Sequence, residues 1–132
     1  MSAKKKKVVW RKVFVVLFVL YMGALIYLYF GKLPTSLKLP RTLWGIPSDK
    51  VGHFLMFLPY PFLAHGSSFT GKRKWRDLVF VTLSGIAIAF AFELLQGTLA
   101  SYRTTDPWDL VANITAISVA TLILSVIDLF KK

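Results

Sequence analysis

An all-α membrane protein is the fold class predicted for this chain: four transmembrane helices in a bundle, with both termini on the inner side. The first observation is the blocking of its apolar residues. They make up 55% of 132 residues and gather into four runs, Val13–Phe30, Val51–Phe69, Leu78–Phe92 and Leu110–Phe130. A spanning helix needs about 20 mostly apolar residues, and a soluble core has no use for runs of this length. The second is the placement of the 17 Lys and Arg. With the N-terminus inside, twelve of them fall on the inner side and five, Lys32, Lys38, Arg41, Lys50 and Arg103, on the outer side. That bias is the one the positive-inside rule expects. The third is the tryptophans. Trp10 and Trp75 precede the first and third runs, and Trp44 and Trp108 lie near the starts of the second and fourth, all at head-group level.

The length fits a single domain, 1–132. The first span is expected at about 12–31. It follows a basic segment, but no small-x-small cleavage site comes after it, so an uncleaved span is expected rather than a signal peptide. The second span, about 50–69, contains Pro59 and Pro61. Each removes a backbone donor, so a kink is expected near mid-membrane. The third span, about 76–98, sets Gly85, Ala89 and Glu93 at four-residue intervals. Small residues at that spacing let helices approach closely, which points Glu93 into the bundle. The fourth span, about 108–130, carries Asp109, Asn113, Ala116 and Ala120 along one stripe. The inner connection Thr70–Asp77 is short and basic. The outer connection Gly31–Lys50 holds three prolines and reads as a connector lying flat in the interface.

Three polar motifs interrupt this hydrocarbon: Asp49-Lys50-x-x-His53, Glu93-x-x-Gln96, and Arg103-x-x-Asp106-x-x-Asp109-x-x-x-Asn113. Asp49/His53 and Asp109/Asn113 are i,i+4 pairs and Glu93/Gln96 is i,i+3, so each pair can share a helix face. Counted at about 1.5 Å per residue, Glu93 lies about 22 Å along the third span and Asn113 about 7 Å down the fourth. His53 is within a turn of the outer end of the second. Three helices thus deliver polar groups to one shallow outer layer, with Arg103 expected above it, approaching Glu93, Asp106 or Asp109. The first span carries no such motif and is expected to contribute packing alone. His65 lies too far along the second span to join the layer, and the inner half of the bundle reads as nearly empty of ionisable groups.

With these residues in view, the chain resembles the VanZ-like family. The resemblance rests on DKVGH at 49–53, FELLQ at 92–96 and RTTDPWDLVAN at 103–113, in that order. It covers a little over half the chain, from Asp49 to about Ala120. The family pattern has glycines after the asparagine, where this chain has Ala116 and Ala120. The resemblance implies a small integral protein of the bacterial cytoplasmic membrane. The family's founding member is associated with teicoplanin resistance, so glycopeptide susceptibility is the expected phenotype.

Several chemistries compete for the polar layer. The structural one is cross-linking of helices by Glu93, Gln96, Asp109 and Asn113, with Asp49 capping the second span. The functional one is a site for a lipid-linked cell-envelope component, with Arg103 and Lys50 holding a phosphate. Glu93 or Asp109 would then be a base and His53 its acid–base partner. No nucleophile–base pair follows from the spacing, so catalysis stays open and no catalytic residue is assigned. His53 with Asp49, Glu93 and Asp109 would make a mixed nitrogen and oxygen metal site, but one available histidine is thin for zinc, so a metal is not expected, and no cofactor is implied. With no cysteine there is no disulfide and no Cys-based metal site. The expected partners are anionic lipid at the basic inner face and the lipid-linked precursor, with a membrane-protein partner as the alternative. The net charge of +11 is spread in a way that argues against nucleic acid.

Overall fold

A computed structural model describes residues 2–31, 40–67, 74–99 and 106–130. Helices dominate it: α1 (Ala3–Phe30), α2 (Ser48–Phe57), α3 (Pro59–Ser67), α4 (Lys74–Leu99) and α5 (Pro107–Phe130), with a minimal hairpin of β1 (Thr42–Leu43) and β2 (Ile46–Pro47) before α2. Three of the helices, α1, α4 and α5, are long and apolar enough to cross a membrane. Large apolar side chains such as Leu20, Phe80, Leu83 and Leu122 cover their outward faces. A water-soluble monomer does not expose apolar surface on this scale.

α1 starts at Ala3 rather than at about 12. Ser2 is its N-cap, accepting the Lys5 backbone N–H at 3.2 Å, and the lysines that follow are good helix formers. The expected second span is two short helices that meet at Leu58. Pro59 and Pro61 cannot donate to the carbonyls four residues before them, Leu55 and Phe57, so the ladder is interrupted where the kink is expected. The hydroxyl of Tyr21 on α1 donates to the Met56 carbonyl beside this break.

α5 is the central element. It packs against α2, α3 and α4, while α1 packs chiefly on α3. The core is made of Leu25, Tyr29, Phe57, Ala89, Ala116 and Ile117. Ala89 and Ala116 are fully buried on the small-residue stripes, and these stripes are what let α4 and α5 close on each other. At Gly85 even a methyl group would come within 3.0 Å of the Tyr60 ring. Hydroxyl pairs Tyr60–Ser84 (2.8 Å) and Thr82–Thr121 (3.0 Å) bridge the helices below the core.

The connection between α1 and α2 is partly a hairpin rather than a flat strip. Thr42 pairs with Pro47 and Leu43 with Ile46, and the two linking residues, Trp44 and Gly45, both have positive φ. That is the backbone of a tight two-residue turn matched to strand twist. Trp44 stands at its tip, 89% exposed. Residues 32–39 lie outside the described residues.

Candidate functional site

The C-terminal end of α1, the N-terminal ends of α2 and α5, and the C-terminal end of α4 converge. Eight of the nine expected site residues lie there, all but Arg103. Lys50 is gripped by three carboxylates: Asp49 at 2.7 Å, Asp106 at 2.8 Å and Asp109 at 2.5 Å. An ammonium has three N–H donors, so each is spent on one carboxylate. Asp109 is buried and also faces His53, with Oδ2 3.4 Å from Nε2. Asp49 stays on the rim with its side chain 62% exposed. It does not cap α2, which has no side-chain cap. Asp106 caps α5 instead, accepting the Trp108 backbone N–H at 3.0 Å.

The Lys50 hydrogen bond and, next, the Trp108 N–H hold the Asp106 carboxyl below the usual carboxylate range.

Beneath this clamp lies a second layer built around a residue that sequence reasoning missed. The hydroxyl of Tyr29, on α1, is 2.8 Å from Glu93 Oε1, 2.9 Å from His53 Nδ1 and 2.5 Å from Asn113 Nδ2. Its backbone carbonyl accepts Gln96 Nε2 at 3.0 Å. That carbonyl belongs to the last turn of α1, where no intrahelical donor remains, so Gln96 satisfies an orphan. Tyr29, His53, Glu93, Gln96 and Asn113 are all buried. The expectation that the first helix contributes only packing is therefore wrong, because α1 supplies the hub. The signal was faint. Tyr27 and Tyr29 both sit near the outer end of the run, and only the Leu25/Tyr29 i,i+4 face marks which of them turns inward.

Glu93 faces the bundle, as the small-residue stripe requires. Arg103 lies outside the described residues, and its expected approach to the carboxylates with it.

The half of the bundle expected to face inward is not empty of ionisable groups, which corrects a second expectation. His65 Nδ1 is 2.6 Å from Asp77 Oδ2, and His65 Nε2 is 3.6 Å from Asp128 Oδ2. Asp77 is as buried as Glu93. Sequence spacing alone could not join three residues carried by three different helices. This group sits about 24 Å from Glu93 along α4, so it is separate from the outer site.

An open groove of about 430 Å³ reaches Glu93 and Asp106 of the Tyr29–Lys50 site. Its walls are Leu94, Gly97 and Thr98 of α4 and Pro107 and Leu110 of α5, with Glu93 and Asp106 as its charged groups. Among the described residues, the site combines four carboxylates with one lysine and one imidazole. It is an acceptor-rich centre in an apolar frame. No family model, no curated protein and no solved structure matches this chain.

Proposed function

We propose that the chain is a four-span, VanZ-like protein of the bacterial cytoplasmic membrane. In this reading its outer polar site engages the head group of a lipid-linked cell-envelope component and thereby affects glycopeptide susceptibility. The observation that carries the proposal is the lateral groove. Its apolar walls and its Glu93 and Asp106 carboxylates suit a ligand with a hydrocarbon tail and a polar head. α2 and α3 together supply the fourth crossing: from Ser48 to Ser67 they measure about 30 Å at helical rise, the thickness of the hydrocarbon core.

The charge balance narrows the head group. Lys50 has no donor left for a phosphate, and carboxylates repel one. They accept hydrogen bonds from hydroxyl and ammonium groups, so a glycosyl or amino-sugar moiety is the part that binds. Native mass spectrometry of the purified chain should find a glycosylated lipid retained by the wild type and lost from Glu93→Gln. Ordinary phospholipid at equal occupancy in both would refute the proposal.

The orientation is N-in, C-in, supported by the twelve-to-five split of basic residues. Reporter fusions after Lys132 should read inside, and fusions near Leu37 outside. A C-terminus found outside would place the site on the wrong face for an envelope ligand.

A second reading, a non-catalytic scaffold, is favoured by the Tyr29 hub, since its contacts join helices whether or not a ligand binds. Normal susceptibility in a folded Glu93→Gln variant would support it.

A further inference from the structure

One buried amide oxygen in this layer lacks a partner. The Tyr29 O–H donates to Glu93 Oε1, and the same hydroxyl stands against Asn113 Nδ2 and His53 Nδ1. Nε2, the other ring nitrogen of His53, faces Asp109 Oδ2 at 3.4 Å. Asn113 shares the Tyr29 hydroxyl with that ring through its Nδ2, and its Oδ1 has no hydrogen-bond partner although Asn113 is 0% exposed. A buried amide oxygen left unpaired is costly, and a cation held beside it would offset that cost.

We infer that His53 Nε2, Asp109 Oδ2 and Asn113 Oδ1, with a carboxylate oxygen of Glu93, form a site for one divalent transition ion of the Zn²⁺ or Mn²⁺ class. The 3.4 Å between Nε2 and Oδ2 is about the spacing of two ligands on a tetrahedral ion with bonds of about 2.0–2.2 Å. One ligand atom from each of His53, Glu93 and Asp109 lies within 4.8 Å of the others, and all three residues are buried. A mixed imidazole and oxygen set suits this class of ion. The Tyr29 oxygen on the Nδ1 side fixes the ring and its tautomer, as the outer partner of a ligating histidine does. Lys50 already occupies the neighbouring Asp49–Asp106–Asp109 cluster as its cation, so the second positive charge belongs one layer deeper. This site does not depend on the lipid reading, because the ion is held by protein groups alone.

The test uses the full chain in detergent micelles, stripped with a chelator and titrated calorimetrically with Zn²⁺ and with Mn²⁺. One ion per chain should bind. His53→Ala and Asn113→Leu should each weaken binding at least ten-fold, and Tyr29→Phe by about ten-fold. Asn113→Asp should tighten it, a gain that a purely structural Asn113 would not produce. X-ray absorption of the loaded protein should show one imidazole nitrogen among oxygen ligands. Circular dichroism checks each variant's helicity, and if His53→Ala does not fold, Asn113→Leu carries the comparison. No ion uptake, or uptake that His53→Ala or Asn113→Leu retains in full, overturns the inference.

Discussion

Lys50→Met should destabilise the folded protein by about 3 kcal/mol, the low end for removing one partner of a buried ion pair. The low end applies because the clamp sits near the rim, with Asp49 and Asp106 partly in solvent. The penalty comes mainly from Asp109, which is buried and would lose the ammonium at 2.5 Å. Thermal unfolding in micelles measures it. Lys50→Met combined with Asp109→Asn should recover part of the loss, because the stranded charge is then removed with its partner. The loss should also depend on pH. Asp106 has a folded value lowered by Lys50, so its share of the wild-type advantage is complete above about pH 4. It fades as pH falls through the lowered value. A Lys50→Met penalty that grew on acidification would show that the clamp is not what holds this end together.

Tyr29→Phe should cost about 3 kcal/mol. Phenylalanine keeps the ring packed against Phe57 and Phe92, so the change isolates the hydroxyl. Its loss leaves Glu93 Oε1, His53 Nδ1 and Asn113 Nδ2 without their shared partner. A buried polar group left unpaired costs about 1–3 kcal/mol, and these three are coupled, so the total is less than their sum. Tyr27→Phe is the control. Tyr27 is exposed, and its hydroxyl is no part of the hub. Equal melting temperatures for the Tyr29 and Tyr27 variants would remove Tyr29 from the centre of the site.

The residues that could be read from the sequence are those whose polarity is anomalous for their surroundings. Glu93, Asp109 and Asn113 stand out in hydrocarbon, and the spacing of small residues beside them gives the direction they face. Tyr29 was hidden because tyrosine is ordinary near a membrane interface, and its role depends on which of two neighbouring tyrosines turns inward. The His65–Asp77–Asp128 group was hidden for another reason. Each member sits near a helix end, where charge is unremarkable, and only the packing of α3 on α4 and α5 brings them together. The break at Leu58 followed from Pro59 and Pro61, since a missing donor acts locally wherever the chain goes. The tight turn at Trp44 did not, because tryptophan is a poor predictor of positive φ.

The hub at Tyr29 also imposes an order on synthesis. Tyr29 and His53 leave the ribosome before Glu93, and Asn113 leaves after it. When α4 enters a bilayer, a hydroxyl on α1 is already present to receive its carboxylate, so the most expensive side chain of α4 does not wait in lipid for the last helix. Asn113 and Asp109 arrive with α5 and close a centre that has been partly assembled by then. A chain halted before α5 would hold Glu93 between Tyr29 and His53, with the Asn113 and Asp109 contacts of the centre still missing.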